Sequence, residues 1–464
     1  MTQTSHSEHP RAVQSGLGGA AGGLPGEVLA PGVDGYAEAA ATVFAAGTPD
    51  LVVRPRDAAG VAAAVRHATA ARLAVTVRSG GHSMAGLSTH DEGMVIDLRN
   101  LSGVEVLDQA SRRVRIGAGA TWGTVAAALA PYGLGLTAGD TREVGVGGLT
   151  LGGGIGWMVR RYGLAIDNLV AADLVTADGE LVRAAAEQAD AEQHGDLFWA
   201  LRGGGGNFGV VTSFEFTAQP VTTVHFGMIG YRPADLTELI AGWRDLTRSG
   251  DDNLTTALNL VPPMPGQPAG SPAAMLQVCY ADPDGDAAAA ALRPFRALAP
   301  VTADTVRAMP YADVLETSPV LPPGTRMEVR NALVPAVDDA LAGAIADLHA
   351  DGAMVGLRGL GGAVARVAPD ATAYAHRDAE ALVVAGAMLP PGGPAQLAAG
   401  PLGRWSAVET RGRGAYVNFL ASATSADVAR VYPPATHRRL AGVKRRYDPG
   451  NVFRRTHNIR PARG

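Results

Sequence analysis

The chain has 464 residues, long enough for two domains and for burying a sizeable cofactor, and its 47% hydrophobic and 18% charged content is that of a globular protein. A net charge of −5 argues against nucleic acid or an anionic membrane as partner, and the single cysteine, Cys279, excludes an internal disulfide and any multi-thiolate metal site. No stretch supplies the roughly 18 uninterrupted apolar residues of a spanning helix, and the N-terminus has no basic start followed by an apolar run, so a cytoplasmic location is expected.

Residues 1 to about 24 read as a flexible leader. Residues 51 to 77 read as strand, helix, strand: LVVRP, a helix from about Asp57 as N-cap with Val61, Val65 and Ala68 on one face, then AVTVR. That second strand ends abruptly at Ser79-Gly80-Gly81-His82-Ser83. The two glycines allow positive φ and close backbone approach, so His82 is presented on a tight turn. Taken alone, the turn is better read as a surface hairpin that happens to carry a histidine.

Short strands follow in MVIDL (94 to 98), VEVLD (104 to 108) and RRVRIGAG (112 to 119), with a helix over 121 to 131. The texture is α+β, without the even strand–helix alternation of a doubly wound sheet. Residues 133 to 156, GLGLTAGDTREVGVGGLTLGGGIG, hold the densest glycine of the chain. A solvated linker would carry Ser or charge, whereas here Val144, Val146, Leu149, Leu151 and Ile155 interleave, which predicts a buried loop whose bare N–H groups face a ligand such as a pyrophosphate.

A formal G-x-G-x-x-G at Gly204, Gly206 and Gly209 follows a predicted helix, DLFWAL, and precedes a strand, VVTSFEF. A dinucleotide fingerprint requires the reverse order, so a nicotinamide-binding fold is not supported. From about 221 longer alternating elements appear: HFGMIGY, a helix over 233 to 247, LTTALNL, AAMLQVCY with Cys279 as a buried strand residue, and helices near 285 to 297 and 336 to 350. This shift suggests a separate substrate-covering domain. Near Gly412 the texture changes again: AYVNFL reads as a short apolar strand, and THRRLAGVKRRYDPGNVF as a basic helix stopped at Asp448-Pro449-Gly450. His90, His194, His437 and His457 lack metal-ligand spacing and read as solvated or capping residues.

Together, VRSGGHSMAG, GDTREVGVGGLTLGGGIGW, NFGVVTSFEF, AYVNF and RLAGVKRRYDPGNVF resemble the FAD-linked oxidases of the vanillyl-alcohol oxidase superfamily. Within it they are similar to the berberine bridge enzyme-like branch and its bacterial relatives, which include hydroxynicotine oxidases and polyketide-tailoring flavin oxidases. The resemblance implies an α+β fold: a two-lobed PCMH-type FAD-binding domain from residues 48–220 and the returning segment 412–464, and a substrate domain, 221–411, with an antiparallel sheet covered by helices.

By position, His82 matches the histidine linked through a ring nitrogen to the flavin 8α-methyl carbon. Arg78, Ser79, Gly80, Gly81 and Ser83 match the stretch along the pyrophosphate and ring edge. Gly139, Asp140, Gly145, Val146, Gly147, Gly148, Gly153, Gly154 and Gly156 match the main FAD-cradling loop, and Val211 the adenine side. Members with a second covalent flavin bond carry a cysteine where this chain has Thr141, so one covalent bond, through His82, is implied. Tyr416 is implied as base or substrate-orienting group, with Asn418 on the same side as a flavin contact. Tyr374, beside the His376-Arg377 pair, joins Tyr416 and Thr141 as a candidate catalytic residue. The glutamate that plant-type members carry on a substrate-domain strand is missing from ALVVAGAML, which leaves the base unassigned.

The resemblance thus implies an oxidase that takes two electrons from a small alcohol, amine or secondary-metabolite intermediate and passes them to O₂, giving H₂O₂. A flavin-dependent oxygenase tailoring a polyketide-like metabolite and a non-catalytic flavin-binding protein are the alternatives. A small-molecule substrate and O₂ are the implied partners, with neither nucleic acid nor membrane, and the sequence specifies no oligomeric state.

Overall fold

The computed structural model describes residues 24–186, 188–262, 273–318 and 326–463; the segment read as a leader falls, apart from Leu24, outside them. It bears out a mixed α and β architecture built on three main sheets.

The first sheet places the strand Met94–Asp97 between Leu51–Arg54 and Val75–Arg78, parallel to both, with Glu27–Leu29 antiparallel at the edge. All four residues of Met94–Asp97 are buried, as a parallel strand covered on both faces requires. The crossover is the helix Ala58–Ala70, capped as expected: Asp57 Oδ1 accepts the Gly60 N–H at 2.7 Å. The β-branched run 75–77 therefore forms the edge strand opposite Glu27–Leu29, and it delivers residues 79–83 at its C-terminal end.

The second sheet is antiparallel, in the order Val104–Asp108, Arg113–Gly117, Val210–Thr217, Leu169–Val175, Leu181–Ala185. Alternation along Val210–Thr217 buries Phe214 and Phe216 on one face, where Trp122 meets Phe216 edge-on at 6.3 Å. Glu215, on the other face, is held between Arg115 at 2.7 Å and Arg183 at 2.9 Å.

The third sheet is antiparallel and eight-stranded among the described residues; its longer strands run in the order Thr223–Tyr231, Ala274–Tyr280, Leu254–Leu260, Met354–Gly359, Ala381–Leu389 and, at the edge, Arg326–Val334. The helices Leu236–Ser249, Gly285–Arg296 and Asp339–Ala350 cover one face through Ile240, Trp243, Phe295, Leu341 and Ile345, which pack on Leu258, Leu276, Val355 and Val383. Each such aliphatic side chain contributes about 1.5–3 kcal/mol on burial. Cys279 is a fully buried strand residue, as read from the sequence.

The C-terminal segment returns to the core of the first two sheets through Leu440, Val443, Phe453 and Ile459. Its basic helix, Pro434–Tyr447, ends at Asp448. There Lys444 Nζ, fully buried, donates to Asp448 Oδ2 and the Asn207 carbonyl, both at 2.6 Å, and to the Phe453 carbonyl at 3.0 Å. Asn207 in turn fixes the chain end, donating to the His457 carbonyl at 3.2 Å and accepting the Ile459 N–H at 2.9 Å.

Two expectations are corrected. AYVNFL is not a strand: residues 417–419 form a 3-10 turn. Instead of a neighbouring strand, the side chain of Asn331 serves this backbone, accepting the Tyr416 N–H at 2.7 Å and donating to the carbonyls of Tyr416 at 3.2 Å and Phe419 at 2.9 Å. The glycine-rich stretch 133–156 is no continuous loop, since it contains the short helix Val146–Leu151. No helix among the described residues is long and apolar enough to cross a membrane.

Candidate functional site

The His82 turn is built by contact between two glycine segments. An added Cβ on Gly80 would lie 2.3 Å from the Gly145 N, and one on Gly145 would lie 2.1 Å from the Gly80 N, so only glycine at both positions lets the backbones touch. Ser79 locks the contact, donating from Oγ to the Ala118 carbonyl at 2.6 Å and accepting the Gly147 N–H at 3.2 Å. Gly81 takes a φ of 75°, in the left-handed region, and turns the half-buried His82 onto a cavity wall. Burial lowers the His82 pKa and the Glu143 carboxylate opposes it less strongly, so the imidazole is neutral near pH 7.

That cavity encloses about 1470 Å³, the space at its mouth included, and lies between the two halves of the chain that carry the sequence motifs. Residues 79–83, Gly139, Asp140, Gly145, Gly147 and Gly148 form one wall. Gly205, Gly206, Gly209 and Val211 form a second, and Tyr416, Asn418, Phe419 and residues 455–457 close it from the C-terminal segment. At Gly148 and Gly206 an added Cβ would meet nothing within 4 Å, so the wall there is left as bare backbone by choice of residue, not by crowding. A cavity of this size with bare glycine backbone on its walls fits a cofactor with a charged phosphate middle, and the residues present fit FAD.

Several singled-out residues stand elsewhere. The Arg78 side chain turns from the cavity to buried Asp97 at 2.9 Å and the Ala41 carbonyl at 3.2 Å. Val146 is core, and Thr141 is off the cavity wall, donating to Asp140 Oδ1 at 2.9 Å. Gly153, Gly154 and Gly156 serve packing: a Cβ would come within 3.1 Å of the Tyr374 ring, 2.4 Å of Ala165 Cβ and 1.3 Å of the Ala138 carbonyl oxygen, respectively.

Tyr416 is buried, yet lines the cavity. Its hydroxyl oxygen accepts from Gly154 N at 3.1 Å, Ile155 N at 3.3 Å and Asn418 Nδ2 at 2.9 Å. Burial still raises its pKa, outweighing these three donors, so the phenol keeps its proton at neutral pH and has that proton left to offer. Tyr374 sits behind it, edge-on at 6.4 Å, off the cavity wall and with its pKa raised by burial. The neighbouring Arg377 is a structural cation, bonded twice to Asp167 at 2.8 Å. His376 is buried and directs Nε2 to the Val431 carbonyl at 2.9 Å.

Two histidines read as solvated or capping are buried. His90 is 8% exposed, and His457, equally covered, bonds through Nε2 to the Ser422 carbonyl at 3.0 Å and lines the cavity. His194 is half-buried and pairs with the Tyr447 hydroxyl at 2.7 Å.

Other residues were missed altogether. Arg358, on the strand Met354–Gly359, pairs with Asp140 and places its guanidinium 5.4 Å from the Phe419 ring centre. Partial burial works to raise the Asp140 carboxyl, but Arg358 outweighs it and holds the group below the usual carboxylate range. Arg358, Phe419 and Met84 line both the large cavity and a second one, of about 1040 Å³ with the space at its mouth included, against the third sheet. Gly206 and Gly209, discounted as part of a dinucleotide fingerprint, nonetheless line the large cavity, together with Gly205. Alternation along Met354–Gly359 was the only available signal for Arg358, since it sets residues 354, 356 and 358 on one face.

Comparison with known proteins agrees with this geometry. The chain matches the family model described as FAD binding domain over residues 49–185 and that described as berberine and berberine-like over 415–460. It is similar to the (R)-6-hydroxynicotine oxidase of Paenarthrobacter nicotinovorans, 30% identical over 94% of this chain and 97% of that protein. An uncharacterised FAD-linked oxidoreductase of Bacillus subtilis is 32% identical over 89% of this chain and 92% of its own length. The crystal structure of 6-hydroxy-D-nicotine oxidase from Arthrobacter nicotinovorans superimposes with a TM-score of 0.83 at 30% identity, covering 95% of this chain and 98% of that one.

Proposed function

The chain belongs to the FAD-dependent oxidoreductases of the berberine bridge enzyme-like family, and from that premise we propose that it holds FAD in the large cavity through one covalent bond from His82. In this reading it oxidises a small alcohol, amine or secondary-metabolite intermediate, with O₂ as acceptor and H₂O₂ as by-product. Residues 48–220 with 412–464 form the cofactor part, and 221–411 the part that covers substrate.

The observation that carries the reading is the placement of His82: a neutral imidazole at the end of a fixed turn, on the wall of a glycine-surfaced cavity. Only the neutral ring has the nitrogen lone pair that a covalent bond to the flavin 8α-methyl carbon would use. Thr141 carries no thiol and stands off the wall, which supports a single bond. When bound, FAD supplies the two-electron acceptor that no side chain can provide.

The chain's own residues supply placement. Ser79 to Ser83, Gly145, Gly147 and Gly148 hold the cofactor on one side, and Gly205, Gly206, Gly209 and Val211 hold it on the other. Tyr416, neutral and braced by three N–H donors, orients substrate by donating its hydroxyl proton. Asn418 keeps that hydroxyl in place, and Tyr374 supports the Tyr416 ring from behind.

The test is denaturation in acid followed by peptide mass analysis. Yellow colour and a flavin-sized mass on the peptide containing His82, lost in His82→Ala, support the proposal. Flavin released to the supernatant by the unaltered protein would exclude the covalent bond, and absence of flavin would remove the oxidase reading.

A further inference from the structure

The second cavity lies against the face of the third sheet that carries no helices. Its wall includes Met84, Met228, Met275, Met327 and Met354 together with Leu260, Val329 and Val384. The polar side chains on it, among the described residues, are Asn259, Gln277 and Arg358. These are already engaged: Asn259 donates to Gln277 Oε1 at 3.0 Å, Gln277 donates to Glu316 Oε1 at 2.9 Å, and Arg358 pairs with Asp140. A polyol would bring many hydroxyls to a wall with few open partners, and each left unpaired costs about 1–3 kcal/mol.

Two strand glycines define the floor. Gly356 faces Val384 and Gly386 faces Met354 across the adjacent strands Met354–Gly359 and Ala381–Leu389. Neither has a positive φ, so the backbone does not demand glycine at either place. What a side chain there would remove is space: a Cβ on Gly386 would lie 3.3 Å from Met327 Cε and 3.8 Å from Met354 Cε, and one on Gly356 would lie 3.1 Å from Asn259 Oδ1. Glycine inside a strand weakens it and often marks close approach by a ligand. Here the pair leaves a flat, bare patch rimmed by thioethers, which are deformable and make favourable contacts with aromatic ring edges.

We propose that this chamber recognises a flat, apolar, ring-containing molecule bearing one neutral polar group, and that Gly356, Gly386 and the surrounding methionines set that specificity. The inference rests on the oxidase reading of the neighbouring cavity and names its substrate class. Arg358, Phe419 and Met84 are common to both cavities, so a molecule seated on the glycine floor reaches the cofactor cavity at Arg358. The Arg358 charge is already neutralised by Asp140, which selects a hydroxyl or carbonyl at that end over a carboxylate.

The experiment is equilibrium dialysis of the purified protein under argon with 1-naphthalenemethanol and, separately, with cellobiose. Saturable binding of the naphthyl alcohol and none of the sugar is expected. Gly386→Leu should weaken naphthyl binding at least tenfold by filling the floor. Met327→Gln/Met354→Gln, which keeps side-chain length and makes the rim polar, should weaken it roughly fivefold. Cellobiose binding without naphthyl binding, or naphthyl binding indifferent to both variants, would overturn the proposal. Flavin absorbance is read on every sample: normal flavin with no naphthyl binding defeats this inference alone, whereas a flavin-free protein defeats the oxidase reading, with chamber binding still measured directly.

Discussion

The Tyr416 hydroxyl and the Asn418 amide, two residues apart, meet at 2.9 Å because the 3-10 turn folds the second back over the first. Asn418 also donates to the Leu149 carbonyl at 3.1 Å, so one amide ties Tyr416 to the glycine-rich wall. Tyr416→Phe should keep its flavin and lose about 10–100-fold in kcat/KM, and Asn418→Leu about tenfold, in a peroxide-coupled assay. An unchanged kcat/KM in Tyr416→Phe would remove its orienting role.

Two glycines of one wall should fail differently. Gly145→Ala drives a methyl group to 2.1 Å from the Gly80 N, and a loss of stability of about 3 kcal/mol or more is expected by thermal unfolding. Gly148→Ala sits in the helix Val146–Leu151 with open space before it, so the flavin-free protein should gain up to about 1 kcal/mol. Its methyl group projects into the cavity, and flavin content should fall. Full flavin loading of Gly148→Ala would show that the cofactor does not lie against this wall.

Burial lowers the pKa of His90, His376 and His457, in each case against weaker opposing hydrogen bonds to backbone. Unfolded histidine titrates near 6.5, so below that pH the unfolded chain binds protons that the folded chain refuses. Stability is therefore fully present above about pH 6.5 and is lost as the pH falls through it. Carboxylates held low, such as Glu215 and Asp427, act only nearer pH 4, which separates the two effects. The melting temperature should fall between pH 7.5 and 5.5, and His376→Gln, which keeps a donor for the Val431 carbonyl, should flatten that fall.

Lys444→Met leaves Asp448 buried without its cation and should cost about 3–5 kcal/mol. Lys444→Met/Asp448→Asn should recover part of the loss, although Asp448 also accepts the N–H groups of Val452 and Phe453. Since Lys444 anchors the Asn207 loop and the stretch before residues 455–457, flavin content should fall with stability in the single variant.

The sequence showed elements whose signals are local. Asp57 at a helix start, a β-branched run ending at Gly80-Gly81, and a basic helix stopping at Asp448 were all legible because neighbouring residues decide them. AYVNFL misled because its composition suits a strand while Asn331, from a distant strand, captures its backbone. His457 gave no local sign of burial, since Asn207 fixes it from 250 positions away. The methionine-lined chamber is assembled from residues of several strands, so only the sheet register brings Gly356 and Gly386 into diagonal positions on adjacent strands.

The return of the C-terminal segment also sets a timetable. While the ribosome is still extending the chain, His82 is already out, but the wall supplied by Tyr416, Asn418 and residues 455–457 has not been made. On the proposed reading, a nascent or prematurely terminated product would carry the His82 imidazole without the enclosure that closes the cavity. Cofactor capture would then be withheld from unfinished chains, and a chain ended upstream of residue 455 is expected to be colourless.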